Sequence, residues 1–140
     1  MSSRSGPIII IDDDIDDQDL LKEAIVEIGI QNEVKCITDS NEALYYLMDT
    51  TDKPFLIICD INIPGMNGLE LKRKIHASDR MRKKSIPFVF FTTFPARGAI
   101  EEAYEMMVQG YFRKPNTIQE IKETLKTIVN YWSICLHPNN

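Results

Sequence analysis

Acidic residues crowd one short segment near the start of the sequence. Six aspartates lie between positions 12 and 19, directly after four consecutive isoleucines at positions 8–11. The isoleucine run is typical of a buried strand, and carboxylates at its end repel one another because water screens them only in part. A metal cation or a basic side chain would relieve this repulsion; without one, the run is a solvated loop.

Three other segments carry groups that could act together with these aspartates. Each follows an apolar run: Asp60 in DINIPGMNG, the pair Thr92 and Thr93, and Lys114 before Pro115. Carboxylates are hard oxygen ligands of the kind that Mg²⁺ prefers, a hydroxyl can donate a hydrogen bond, and an ammonium supplies positive charge. The sequence therefore predicts a magnesium site if these segments meet.

Two other interpretations of the acidic run fit less well. An EF-hand loop that begins at Asp12 would end at Glu23, but Asp17 stands where that loop needs glycine, and a strand precedes it. A dinucleotide-binding turn needs glycines, whereas this acidic turn would repel phosphates. Asp16, Asp17 and Asp19 are interpreted as favourable charges in the first turn of a helix.

Short apolar runs alternate with amphipathic segments along the whole chain. The runs predict strands at 7–11, 33–37, 55–59, 86–91 and 110–112. Apolar residues at three- and four-residue spacings predict helices at 17–29, 40–49, 68–78 and 99–107, and a last helix with an apolar stripe from 118 to 132. Strands that are apolar at consecutive positions are typical of a parallel sheet covered on both faces.

This alternation predicts an α/β fold, with a doubly wound five-stranded parallel sheet in the order 2-1-3-4-5 and helices on both faces. A single domain is expected over residues 1–140, with a core of about 6–130 and a C-terminal tail at 131–140. Ligands bind such sheets at the carboxyl ends of the strands. The aspartates, the threonine and the lysine are therefore expected to converge there.

Composition restricts the classes of partner and the location. The net charge of −5 argues against nucleic acid or an anionic membrane as the main partner. No apolar run approaches the ~18 residues of a membrane span, and the first residues are too polar for a signal peptide, so a cytoplasmic location is expected. Cys36 and Cys59 are expected to be small buried side chains, and the basic run 80–84 a solvated helix end and loop.

The combined pattern resembles the receiver domain of two-component response regulators, over nearly the whole chain. Four separated pieces agree: an acid pair after strand 1, D-x-N-x-P-G-x-N-G after strand 3, a threonine that ends strand 4, and K-P after strand 5. The resemblance implies that Asp60 is the phosphoacceptor, that Thr92 hydrogen-bonds the phosphoryl group and that Lys114 pairs with it. Pro115 would follow a cis peptide bond.

The resemblance also implies a set of metal ligands for Mg²⁺. Asp13 and Asp60 would bind the cation directly, Asp12 mainly through water, and Asn62 through its backbone carbonyl. A carboxylate can act as the nucleophile that forms an acyl phosphate. Catalysis would then consist mostly of positioning and charge neutralisation around the phosphoryl oxygens.

Other positions are expected to tune the signal. Tyr111 matches the aromatic residue that moves inward when Thr92 is drawn to the phosphoryl group. Phe94 would lie beside the path of the hydrolytic water and exclude it, whereas Asn62 could hold a water there. The alternative is that Phe94 points outward with Pro95, as part of a protein contact, and leaves hydrolysis unchanged. The family commonly has glycine at the position of Met107, so the sequence does not predict the shape of that turn.

The expected function is that of a stand-alone receiver that takes a phosphoryl group from a sensor histidine kinase or a phosphotransfer protein. It would then change its binding to a downstream protein that the sequence does not identify. It would assist only its own phosphorylation and dephosphorylation, without DNA binding or membrane association, and a homodimer stays open. The tail YWSICLHP is similar to that of single-domain regulators of bacterial phytochromes and hybrid kinases.

Two alternative functions fit the sequence less well. A haloacid-dehalogenase-type phosphatase also uses magnesium and a strand-end aspartate, but it needs a second aspartate two positions on as general acid, where this chain has Asn62. A receiver-shaped binding module without phosphorylation is the other alternative. Its weakness is that all residues of the phosphorylation site are present.

Overall fold

A five-stranded sheet and six helices make up the described part of the chain, residues 5–137 of the computed structural model. The strands are β1 (Ile8–Ile11), β2 (Val34–Ile37), β3 (Leu56–Cys59), β4 (Phe88–Thr92) and β5 (Gly110–Arg113). The helices are α1 (Ile15–Glu27), α2 (Ser40–Asp49), α3 (Gly68–Ala77), α4 (Asp79–Lys84), α5 (Arg97–Glu105) and α6 (Ile118–Ile134). The two ends of the expected domain, 1–4 and 138–140, lie outside the described residues.

The sheet topology confirms the predicted doubly wound arrangement. All four strand pairs are parallel, and the order is β2-β1-β3-β4-β5. Ile11 pairs with Cys59 across the β1–β3 junction, so the next residues, Asp12 and Asp60, leave neighbouring strands at the same level. This register alone places two carboxylates side by side at the carboxyl edge of the sheet.

Two hydrophobic clusters hold the sheet between its helical layers. In β1, Ile9 and Ile11 belong to the cluster that α2, α3, α4 and α5 cover, whereas Ile8 and Ile10 belong to the cluster under α1 and α6. All four isoleucines are fully buried, as expected for a central parallel strand. Burial of one such side chain stabilises the fold by roughly 1.5–3 kcal/mol, so β1 is rigidly held up to the residue before Asp12.

The expectation of a buried Cys36 was wrong, and that of a solvated helix end and loop at 80–84 was right for the exposed basic side chains but wrong for the loop. The basic run 80–84 belongs to the short helix α4, which Ser78 caps through Met81 N at 3.2 Å and which buries Met81 against the core. Cys36 is exposed, because β2 is an edge strand of the sheet. Cys59, on the central strand β3, is buried as predicted.

The sequence does not predict the backbone conformation of the turn between α5 and β5. Met107 has a backbone φ of 62°, in the left-handed region that favours glycine. The Val108 N–H donates to the Ala103 carbonyl at 3.2 Å and the Met107 N–H to the Tyr104 carbonyl at 3.0 Å, which together form a Schellman motif. Met107 therefore adopts the conformation in which the family usually has glycine.

Within residues 5–137, no helix combines the length and the apolar character that a membrane crossing requires.

We predict that Met107→Gly stabilises the protein. A non-glycine residue in the left-handed region is strained by roughly 1–2 kcal/mol, and 67% of the Met107 surface is exposed, so little burial is lost. Part of the gain is offset by the greater freedom of glycine in the unfolded chain. The free energy of unfolding, measured by urea titration, should rise by about 0.5–1 kcal/mol.

Tyr104→Gly is the matched control for this substitution. Tyr104 is also an exposed hydrophobic residue, but it lies inside α5. Its replacement should lower the free energy of unfolding by about 0.5 kcal/mol. A loss of similar size in Met107→Gly would contradict the account of the turn.

Candidate functional site

The first carboxylate of the site, Asp12, is fixed from several sides. It is 1% exposed, and its N–H donates to the Ile37 carbonyl at 3.1 Å, which continues the β1–β2 ladder. Its Oδ1 accepts from the Asp14 N–H at 3.0 Å, and its carbonyl accepts from Gln18 Nε2 at 2.6 Å. These bonds fix both the backbone and one carboxylate oxygen of Asp12.

The aspartates in the turn after Asp12 have different structural roles. Asp14 caps α1, since its Oδ1 accepts from the Asp16 N–H at 2.9 Å and the Asp17 N–H at 3.3 Å. Asp13, between Asp12 and the cap, is exposed. The acidic run thus begins a helix and leaves Asp13 open to solvent beside the buried Asp12.

Asp60 leaves β3 and is held by the loop that follows it. Its Oδ1 accepts from the Ile61 N–H at 2.7 Å and the Asn62 N–H at 3.3 Å. The loop turns through Gly65, which has a φ of +77°, and returns to Gly68 at the start of α3. A Cβ atom on Gly68 would lie 2.3 Å from the Asp60 carbonyl oxygen, so only glycine permits this close return.

The three predicted carboxylates meet at this edge of the sheet. Asp12, Asp13 and Asp60 each offer an oxygen, and these oxygens lie within 4.8 Å of one another. The donor set consists of hard oxygen atoms and is open to solvent at Asp13, which suits a cation that keeps part of its water shell. The residues present therefore fit Mg²⁺.

Lys114 supplies the positive charge of the site. Its N–H donates to the Thr92 carbonyl at 2.8 Å, which brings the lysine in beside the end of β4. Its Nζ lies 2.6 Å from Asp12 Oδ2 and 3.2 Å from Asp60 Oδ2. The expected cis bond before Pro115 was wrong, because the described residues contain no cis peptide and the ammonium reaches both carboxylates with a trans bond.

Burial and pairing act in opposite directions on these ionised groups. Burial raises the pKa of Asp12 despite the hydrogen bond from Lys114. Burial alone would favour the neutral amine of Lys114, but hydrogen bonds to Asp12 and Asp17 outweigh it and raise the pKa of the lysine. Lys114 is therefore a fixed positive charge at neutral pH, as electrostatic stabilisation requires.

Thr92 carries an unused donor into the same region. The residue is fully buried at the end of β4, and its Oγ1 has no hydrogen-bond partner among the described residues. A buried hydroxyl without a partner is unfavourable by roughly 1–3 kcal/mol. Such a group is commonly explained by a ligand or an ion that completes the site.

The two remaining predicted residues lie farther out. The Tyr111 ring is half-buried and packs beside Phe90 with 5.8 Å between ring centroids, and burial raises the pKa of its hydroxyl. Phe94 is 79% exposed, so in this structure its ring faces solvent. The movement of Tyr111 and an influence of Phe94 on hydrolysis both stay predictions.

The sequence interpretation missed one member of the site. Asp17 Oδ2 lies 2.8 Å from Lys114 Nζ, so this residue does more than favour a helix start. The available signal was its place in the first turn of α1, which begins at Ile15, three residues after Asp12. The side-chain direction that selects Asp17 over Asp16 was not readable from spacing alone.

Comparison with known proteins agrees with this geometry. Residues 8–126 match the family described as the response regulator receiver domain. The chemotaxis protein CheY of Pseudomonas aeruginosa is 31% identical over 121 residues, which cover 86% of this chain and 94% of that protein. Response regulator Rcp1 of Synechocystis sp. is 25% identical over 140 residues, covering 94% of each chain.

A solved structure, of the phosphorylated cyanobacterial phytochrome response regulator RcpA, superimposes with a TM-score of 0.84 at 25% identity, covering 94% of this chain and 96% of that one. The fold, the acidic pocket and the family match agree with one another. The chain belongs to the response regulator receiver domain family, a family of phosphoacceptor modules in two-component signalling.

Proposed function

We propose that Asp60 accepts a phosphoryl group from a phosphohistidine donor, with Mg²⁺ at the neighbouring carboxylates, and that the phosphorylated site alters protein binding. The observation that carries this proposal is the position of one ammonium against two carboxylates of a three-carboxylate pocket. Asp60 is the carboxylate held by two backbone N–H groups, so its orientation is fixed before any reaction. Fixed orientation is what a transfer controlled by positioning requires.

The transfer is a displacement at phosphorus. A carboxylate oxygen of Asp60 forms the new O–P bond, the P–N bond to the donor histidine breaks, and its electron pair returns to the imidazole ring. Lys114 lies 3.2 Å from Asp60 Oδ2 and stabilises the negative charge of the phosphoryl oxygens. Thr92 Oγ1, which lacks a partner before the reaction, can donate to one of these oxygens.

Asp12, Asp13 and Asp60 would hold the magnesium ion, and the Asn62 backbone carbonyl would complete the protein ligands. Mg²⁺ supplies charge neutralisation at the phosphoryl group when it is bound. The four-residue assignment rests on the cluster of three carboxylates and on the family pattern.

The partners follow from this chemistry. A histidine kinase or a phosphotransfer protein is the proposed donor, since both present phosphohistidine, and the recipient of the signal is a downstream protein. The structural neighbour RcpA was solved in a phosphorylated state, which supports phosphorylation of this chain. The chain then acts as a signalling receiver that turns over only its own phosphoryl group.

The phosphatase alternative is not favoured by the site. A dehalogenase-type phosphatase needs a general acid two residues after the nucleophile, and the Asn62 amide cannot donate and recover a proton in that role. A receiver-shaped module without phosphorylation is not favoured either, because the carboxylates and Lys114 form an intact site.

We predict that acetyl phosphate with Mg²⁺ labels the protein and that Asp60→Asn abolishes the labelling. The amide lacks the nucleophilic carboxylate, although it preserves the shape of the side chain. Phosphoprotein is measured by mass spectrometry or on phosphate-affinity gels. Asp16→Asn, at an exposed aspartate of α1, is the control and should label at the normal rate. Equal labelling of Asp60→Asn and the unmodified protein would identify another acceptor.

We predict that Mg²⁺ stabilises the unphosphorylated protein. Three carboxylates in one pocket repel one another, and a cation that binds only the folded state stabilises it by mass action, by about 2.7 kcal/mol at 100 times its dissociation constant. Thermal unfolding with and without millimolar Mg²⁺ measures the effect. Asp13→Ala should remove the response while the metal-free protein stays folded, and Asp16→Ala should retain it. If Mg²⁺ leaves the melting temperature of the unmodified protein unchanged, the metal assignment is wrong.

We predict that Thr92→Val stabilises the unphosphorylated protein but removes its response to a phosphoryl mimic. Valine has nearly the same shape and no unpaired hydroxyl, so the free energy of unfolding should rise by about 1 kcal/mol. Beryllofluoride should shift the Tyr111 ring signals in NMR spectra of the unmodified protein and leave them in place in Thr92→Val. Thr93→Val, at the exposed neighbour, should keep the response. If beryllofluoride still shifts the Tyr111 signals in Thr92→Val, Tyr111 responds independently of the Thr92 hydroxyl and the prediction is wrong.

A further inference from the structure

Lys114 has more acidic neighbours than the proposed phosphorylation chemistry uses. Its Nζ lies 2.6 Å from Asp12, 2.8 Å from Asp17 and 3.2 Å from Asp60. We infer that Asp17 is a positioning residue, which keeps the Lys114 ammonium directed at Asp60 while Asp12 and Asp60 are engaged with the cation and the phosphoryl group. This inference rests on the proposed function and adds a sixth side chain to its site.

The number of donors on the ammonium explains why a third carboxylate matters. A lysine ammonium has three N–H donors, and here each has one carboxylate acceptor. The contact with Asp60 is the longest of the three, so it is the one most easily passed to a phosphoryl oxygen. The other two contacts then decide where the ammonium stays.

Asp12 and Asp17, which make these two contacts, differ in their other interactions. Asp12 belongs to the carboxylate cluster that fits a cation, together with Asp13 and Asp60. A cation draws electron density from the Asp12 oxygens and weakens their attraction for the lysine. Asp17 lies outside that cluster and keeps its acceptor for Lys114 in the metal-loaded site. The ammonium thus retains a protein anchor at the moment when the phosphoryl group needs it.

The backbone around Asp17 makes it a stable anchor. The residue lies in the first turn of α1, and its N–H donates to the Asp14 cap at 3.3 Å. The next residue, Gln18, is buried and its Nε2 donates to the Asp12 carbonyl at 2.6 Å, which ties the same helical turn to the end of β1. Asp17 is therefore held in register with Asp12, although about a third of its side chain is exposed.

Removal of Asp17 has two opposing electrostatic consequences. The loss of a negative charge reduces repulsion of an incoming anion, whereas the loss of the hydrogen bond frees a long, flexible lysine side chain. Asp16 lies in the same turn, carries the same charge and is exposed, so Asp16→Ala measures the charge effect without the contact. Asp17→Asn keeps an acceptor oxygen at the same place and removes the charge.

The test compares the affinity of these variants for beryllofluoride at saturating Mg²⁺, measured by fluorine NMR or isothermal titration calorimetry. Asp17→Ala should bind beryllofluoride about tenfold more weakly, the size of coupling expected between charged groups in contact. Asp17→Asn should recover most of that loss, and Asp16→Ala should bind as the unmodified protein does. In a Lys114→Ala background, Asp17→Ala should cause no further loss of affinity, because the positioning effect passes through the lysine.

The outcomes separate this inference from the function on which it depends. If the unmodified protein binds no beryllofluoride with Mg²⁺, the proposed function fails and the inference with it. If the unmodified protein binds but Asp17→Ala matches Asp16→Ala, only the inference is overturned. Tighter binding by Asp17→Ala would also overturn it, since Asp17 would then compete with the phosphoryl group for the lysine. An equal loss with and without Lys114 would assign Asp17 a merely structural role.

Discussion

The repulsion among carboxylates at the end of two central strands is the constraint that organises this protein. Register places Asp12 and Asp60 side by side, and Asp13 brings a third charge into the same pocket. Two like charges 4 Å apart repel by roughly 4 kcal/mol at an effective dielectric constant of 20, so the pocket is unfavourable unless positive charge enters it. Lys114 provides one such charge. The hydrogen bond from its backbone N–H to the Thr92 carbonyl holds the residue beside the pocket.

The rest of the fold can be understood as the support that this arrangement needs. A buried isoleucine strand fixes the position of Asp12, and two backbone N–H groups fix the orientation of Asp60. Gly68 lets α3 begin against the Asp60 carbonyl, where any Cβ atom would collide. These features restrict motion close to the carboxylates, so a ligand that binds there acts first by changing the local charge.

The sequence was sufficient for features that depend on periodicity and strand order, and insufficient for those that depend on side-chain direction. The five strands, their order and the convergence of Asp12, Asp60 and Lys114 follow from apolar runs and the topology rules of parallel sheets. The contact of Asp17 with Lys114 depends on a rotamer at a helix start, which spacing does not specify. The left-handed Met107 was equally hidden, because tertiary context there overrides the usual preference for glycine.

Two groups of the unphosphorylated site differ in their hydrogen bonding. Lys114 has all its donors occupied by carboxylates, whereas the Thr92 hydroxyl has no partner among the described residues. A phosphoryl group on Asp60 changes both conditions, since it offers new acceptors and withdraws the Asp60 carboxylate from the lysine. Because a ligand shifts a conformational equilibrium only by its differential contacts with the two states, these two groups are where such differences can arise. The half-buried Tyr111 of β5 packs beside Phe90, two residues before Thr92 in β4, so under the proposed function a movement of the Thr92 hydroxyl would reach the surface formed by α5 and β5 through this ring.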